Sequence, residues 1–134
     1  MSYHWAKVRL GHVLLRSGNL TEAHQLLIET AQNFGKDSYS IGAIFALEGM
    51  AELFVSVGKP DYAARLIGWA DLMRKRIQDP RPNIEQANVD KMIAACLAKL
   101  GEAAFSDAYD QGQAMTLEEA IALASNEVNE PKQT

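Results

Sequence analysis

Glu48 and Glu52 lie four residues apart, on one face of any helix that carries both. Paired carboxylates do acid–base chemistry when a desolvated pocket pushes their pKa values apart, and the surrounding sequence indicates no such pocket. Two like charges at this spacing are mildly destabilising unless something cationic faces them. The imidazoles are His4, His12 and His24. A metal site needs further ligands converging on them, so they read as exposed side chains. His12 with Glu48 and Glu52 is the one polar neighbourhood the sequence offers an enzyme. Cys96 stands beside Ile93 and Leu97 on an apolar stripe and reads as a buried, inert thiol. Arg74, Lys75, Arg76 and Arg81 form a basic cluster that suits a charged helix end. A net charge of −4 argues against general nucleic-acid binding. No phosphate-binding loop, dinucleotide fingerprint, C-x-x-C pair or nucleophile elbow occurs. The expected protein is therefore non-catalytic, with no cofactor and no metal.

The elements that position these residues follow from the spacing of apolar side chains. The chain has 134 residues, 48% of them hydrophobic, enough for one domain with a real core. The apolar period is 3.6 throughout, which makes an all-α fold. A first helix from about Tyr3 to Ser17 carries Trp5, Val8, Leu10, Val13 and Leu14, and Gly18 stops it. Asn19, with Glu22, caps a second helix that presents Ala23, Leu27, Thr30 and Phe34. After a polar loop from Lys36 to Ser40, a third helix carries Ile44, Leu47, Met50, Ala51 and Phe54 up to Gly58. Pro60 opens the fourth, with Ala63, Ile67, Ala70 and Met73 inward and Trp69 beside them in the core. Asp79-Pro80-Arg81-Pro82 forbids a helix. Asn83 caps the fifth helix, with Val89, Ile93, Cys96, Leu97 and Leu100 facing inward. A sixth spans about Ala103 to Asp110, closed by Gly112. Thr116 and Glu119 form a capping box for the last, Leu117 to Ser125. The glycines read as backbone stops after helices. Gly18, Gly58 and Gly101 recur at intervals of about 40 residues, the rhythm of stacked helix pairs.

The first two pairs resemble tetratricopeptide repeats, in which small residues of the two helices pack together. Gly11 and Ala23 match those positions in the first pair, Ala51 and Ala63 in the second. Leu10, Leu14 and Leu27, then Met50, Phe54 and Ile67, fill the large apolar positions. The family's late proline is missing, and the interval exceeds the usual 34 or so. A second resemblance lies in Ala46-Leu47-Glu48-Gly49-Met50-Ala51, in Gly58-Lys59-Pro60 and in Ala63-Ala64-Arg65-Leu66-Ile67-Gly68. It continues through Leu100-Gly101-Glu102-Ala103-Ala104-Phe105, Gly112 and Met115-Thr116-Leu117-Glu118-Glu119-Ala120. This order is similar to the C-terminal helical region of bacterial NTPase-containing signalling and transcriptional regulators. The resemblance implies a scaffold or sensor. Neither the NTPase nor the DNA-binding module of those regulators is present, so their activities do not carry over.

The expected architecture is a tetratricopeptide-like superhelix of about seven helices. It forms one domain over residues 1–125, with pairs 3–35, 38–77 and 83–112, a capping helix 116–125 and a flexible tail 126–134. In such a stack the first helix of each pair lines a concave groove. The repeat template places Trp5, Val8, His12 and Arg16 there from the first pair, and Glu48, Glu52 and Val55 from the second. Asn88, Lys91, Ala95 and Lys99 follow if the third pair stacks regularly. A groove of mixed charge with an aromatic suits a protein or peptide partner. The same residues equally suit solvated faces with internal salt bridges. Tyr3 and Trp5 lie at the open end of the stack, where a second copy would associate. The expected function is protein interaction in signalling or transcription regulation, the alternative a small-molecule effector sensor. The lone cysteine fits the cytoplasm, and no membrane span or signal peptide is expected.

Overall fold

The computed structural model describes residues 3–36 and 40–126, and the side chains from residue 5 to 35 and from 41 to 126. Within them the chain is all-α: α1 (Tyr3–Arg16), α2 (Leu20–Lys36), α3 (Ser40–Ser56), α4 (Pro60–Ile77), α5 (Asn83–Leu100), α6 (Glu102–Gln113) and α7 (Leu117–Ala124). Gly18, Gly58 and Gly101 all have φ above +80°. L residues rarely adopt that conformation, so the three glycines end the helices before them. Pro60 occupies the first turn of α4 as expected. At α7 the capping box is complete: Glu119 N–H donates to Thr116 Oγ1 at 3.1 Å, and Thr116 N–H to Glu119 Oε1 at 2.9 Å. Asn83 does not cap α5. It is the first helical residue, and Pro82 stands at the N-cap with no side-chain bond. The loop residues 37–39 and the tail residues 127–134 lie outside the described residues.

Helices α1 to α4 pack in sequence, each against the next, and α1 also meets α3. Their shared core is built on Leu27, Phe34, Ile44, Leu47, Met50, Phe54, Leu66, Ile67 and Trp69. Each such large apolar side chain contributes roughly 1.5–3 kcal/mol on burial. Helix α3 has only two charged residues among seventeen and is apolar on every side. A helix of that kind must be enclosed, and α1, α2, α4, α5 and α7 surround it.

The register of α1 differs from the expected one. Val8, Gly11 and Leu15 are buried, while Leu10 is 49% and Val13 58% exposed. An apolar face from Trp5 to Leu14 is wider than one neighbour can cover, and the groove side and outer side of α1 keep the excess. Gly11 faces Leu27, whose Cδ2 would lie 2.6 Å from an added Cβ, rather than the small Ala23 that the repeat template pairs with it.

The third pair does not stack as the repeat template expects. Helix α6 packs extensively on α4, and α5 touches α3, α4 and α6 more lightly. Glycines explain the difference. An added Cβ at Gly68 would overlap the Tyr109 carbonyl oxygen, and one at Gly112 the Arg65 carbonyl oxygen. Positions 65 and 68 thus meet 112 and 109, an antiparallel crossing with backbone against backbone. Gly112 lies inside α6 rather than closing it. Helix α7 folds back over α2, α3 and α4. His24 Nε2–H donates to the Ala124 carbonyl at 2.9 Å and pins its end.

Candidate functional site

Buried stripes on α1 and α5 leave two other stripes free. On α1, Val8, Gly11 and Leu15 turn inward, so Arg9, His12, Val13 and Arg16 share the neighbouring face. On α5, Val89, Met92 and Cys96 are buried, leaving Ile84, Ala87, Asn88 and Lys91 together. Both sets follow the i, i+3, i+4, i+7 spacing of one helical face. The two faces oppose each other across an open cleft of about 570 Å³, with Phe45 of α3 between them and Glu85 on the α5 side. A smaller recess of about 210 Å³ continues it past Arg9, Phe45 and Glu85 to Trp5, Ile41 and Pro82.

The cleft has a fixed imidazole. His12 Nε2 lies 3.1 Å from the Phe45 carbonyl oxygen, an acceptor only, so this nitrogen carries the proton. The ring stacks on Phe45 at 4.2 Å between centroids and 13° between planes. Gly49 leaves the room for it: His12 Nε2 would come within 2.9 Å of a Cβ there. Burial lowers the His12 pKa below its ordinary 6.5, the Phe45 hydrogen bond opposes this, and the Arg16 charge adds to the lowering. The ring is therefore neutral at pH 7. The expectation of exposed histidines fails for His12 and His24, because each meets a backbone carbonyl of another helix.

One end of the cleft is closed by a polar bridge. Glu52 of α3 accepts from Arg16 Nε at 3.3 Å and Arg16 Nη2 at 3.2 Å, and from Asn88 Nδ2 at 3.0 Å. One carboxylate thereby ties the lips α1 and α5 to α3.

Glu48, placed on the groove by the repeat template, is only 8% exposed and faces a different set of partners. Arg74 reaches it with Nε at 2.7 Å and Nη2 at 2.9 Å, a bidentate pair, and Arg81 Nε adds a third contact at 2.7 Å. Arg81 Nη1 also lies 2.7 Å from Asp71 Oδ1 and donates to Gln86 Oε1 at 3.2 Å. The Tyr109 hydroxyl donates to the other Asp71 oxygen. Burial alone would lower the Arg74 pKa, but the Glu48 hydrogen bonds and charge carry it above its ordinary value. Burial first, then the hydrogen bond to Asp71, pushes Tyr109 up. So the basic cluster is split: Arg74 and Arg81 are internal counter-ions, while Lys75 and Arg76 are exposed at the end of α4.

In the sequence Arg81 reads as part of a basic cluster and of the proline break, not as an internal counter-ion. The signal for its role lies in α3: a carboxylate inside an otherwise apolar helix needs buried cations, and the arginines that follow it include Arg74 at the end of α4 and Arg81 in the break after it.

Of the six groove candidates, His12, Arg16 and Lys91 line the cleft. Glu52 braces its end, and Glu48 lies in the ion cluster. Trp5 lines the smaller recess, with its ring 5.2 Å from Phe34 and 6.1 Å from Phe45. That inward packing removes Trp5 from the open end of the stack. Tyr3's side chain lies outside the described residues. The outer face of the first pair carries Leu10, Leu14 and Leu26 instead. Val8, also mapped to the groove, is fully buried. Cys96 is 1% exposed, and burial pushes its thiol up to about 11. Among the described residues no three His, Cys, Asp or Glu side chains gather as a metal-ligand set, and no helix is long and apolar enough to cross a membrane. No family model, curated protein or solved structure matches the chain.

Proposed function

We propose that the chain is a non-catalytic interaction module that seats a segment of a partner protein between α1 and α5. The observation that carries this reading is the placement of Val13 and Ile84. They are 58% and 84% exposed, they stand on opposite lips, and the stacked His12 and Phe45 rings lie between them. Exposed apolar residues that face each other across a polar-rimmed cleft mark an interaction site better than scattered ones do. The polar rim and the Glu52 bridge hold the cleft open without a ligand, which lowers the ordering cost of binding. Consecutive packing of α1 to α4 supports the tetratricopeptide-like stack, with α6 and α7 diverging from it. Work in signalling or transcription regulation in the cytoplasm rests on the resemblance to bacterial regulators, and association with a second copy rests on the Leu10, Leu14 and Leu26 face.

The test is a displayed library of short peptides screened against the protein and its Val13→Asp and Ile84→Asp variants. Both positions are exposed, so the fold survives the change. Peptides that bind the parent and lose both variants support the module. A library without one such peptide ends the reading. The second reading, a small-effector sensor, draws on the cleft volume, which falls within the range of roughly 300–1,000 Å³ for small-molecule sites. A metabolite that raises the melting temperature of the parent and not of the variants would favour it.

A further inference from the structure

The charges around the cleft do not match those of the chain. The protein carries −4 overall, with 17 acidic residues against 13 basic ones. The cleft lining has the opposite balance: Arg9, Arg16 and Lys91 against the single carboxylate Glu85. Glu52 engages Arg16 from behind, which leaves Arg9 and Lys91 with no ion-pair partner among the described residues. Arg9 and Lys91 are both exposed. His12 adds no charge at neutral pH, because burial, helped by the Arg16 charge, keeps its pKa below 6.5 against the opposing pull of its bond to the Phe45 carbonyl.

The apolar and cationic positions also have a common length. Arg9 and Arg16 are two helical turns apart, about 10 Å along α1, with Val13 between them. Ile84 and Lys91 are two turns apart on α5. Arg16 and Asn88 meet one end of α3 through Glu52, and Arg9 and Glu85 share the recess at the other end, so the two lips run parallel. An occupant lying along them meets Val13 and Phe45 at the centre, Ile84 with Arg9 and Glu85 at one end, and Lys91 with Arg16 at the other.

We infer that the occupant of this cleft is an acidic amphipathic helix, with aliphatic side chains at i, i+3 and i+4 between Val13, Phe45 and Ile84 and carboxylates directed at Arg9 and Lys91. This rests on the reading of the cleft as a partner site and adds the partner's chemistry. Apolar anchors give the contact its strength. The cations select the sign of the partner, speed its encounter and make binding sensitive to salt.

The experiment measures fluorescence anisotropy of three labelled helical peptides: one with a leucine stripe flanked by glutamates, a twin with lysines for the glutamates, and a twin with serines for the leucines. The glutamate peptide is expected to bind roughly tenfold or more tightly than the lysine twin and to weaken as salt is raised. The serine twin is expected to lose binding. Arg9→Glu with Lys91→Glu, two exposed positions outside the ion cluster, is expected to reverse the preference while circular dichroism stays unchanged. Equal binding of the glutamate and lysine peptides, lost in Val13→Asp, would overturn the acidic partner and leave the cleft reading standing. Binding that survives Val13→Asp, or no binding by any of the three, would overturn both.

Discussion

Replacing Glu48 by Gln removes one charge and almost no volume, which isolates what the ion cluster does for the fold. In the parent, Glu48 accepts three charge-assisted hydrogen bonds from two arginines whose side chains are 6% and 4% exposed. The amide keeps one acceptor oxygen and turns an NH₂ group toward a guanidinium, so at least one donor is left facing another donor. Among the described residues the one carboxylate then left in ion-pair contact with them is Asp71, and it reaches Arg81 but not Arg74. Removing one partner of a buried pair costs about 3–5 kcal/mol, since the remaining charge stays desolvated. Against a total stability of about 5–15 kcal/mol this is a large share. For a chain of this length each kcal/mol shifts the melting temperature by roughly 3–5 °C, so a fall of roughly 9–25 °C is expected in thermal unfolding followed by circular dichroism. The sign of a second variant separates charge from packing. Glu48→Leu with Arg74→Met and Arg81→Met takes the carboxylate out together with both of its arginines, leaves the part-exposed Asp71 to the Tyr109 hydroxyl and solvent, and is expected to recover most of the loss, because apolar replacement of a buried ion triad is often neutral or stabilising. A fall of under about 3 °C in Glu48→Gln would show that water already solvates the cluster, and would refute the argument.

Gly112→Ala puts a methyl group against the Arg65 carbonyl, and backbone cannot step aside as a side chain can. The α4–α6 crossing is expected to open, with a loss of about 1–3 kcal/mol in urea unfolding; Ala at this position with parent stability would show that the helices are not in backbone contact. His12 has its folded pKa depressed, so its contribution to stability is full above about pH 6.5 and is lost as pH falls through the folded value. Its ring protons are expected to titrate by NMR with a midpoint below 6.5, and a midpoint at or above that value would contradict the stacked, neutral ring.

The difference between what the sequence made legible and what it hid follows the kind of interaction. Helix starts and stops are set locally, by a left-handed glycine, a proline in a first turn or a threonine whose oxygen reaches the third helical N–H. Gly18, Gly58, Pro60 and the Thr116–Glu119 box were therefore readable in order. The facing of an apolar helix is set by what covers it. On α1 the sequence supplies more apolar positions than one neighbour can bury, and periodicity alone does not say that Leu15 goes in while Leu10 and Val13 stay out. Glycines inside helices carry the same ambiguity. Gly68 and Gly112 look like weak helix formers or stops until a second backbone is laid against them, and that contact pulls α6 onto α4 and leaves α5 as the far lip of a cleft.

The candidate site shows the same division. The repeat template put His12, Arg16 and Lys91 on one concave face, because alternate helices of a stack share a side. It placed Glu48 there as well, one turn from Glu52 on the same helix. The two carboxylates part because α3 is enclosed, and a small rotation about its axis separates the edge of the cleft from the interior. Glu52 meets a half-exposed arginine and an asparagine, whereas Glu48 meets two arginines cut off from water. The cations that Glu48 needs come from the end of α4 and from the Pro80–Pro82 break. That loop leads directly into α5. An interior charge, unfavourable in itself, thereby fixes where the second lip of the cleft begins. The prediction for Glu48→Gln consequently has a local counterpart: hydrogen exchange is expected to rise first along Ile84 to Lys91, and equal acceleration across α3 and α5 would break the link between the ion cluster and the cleft.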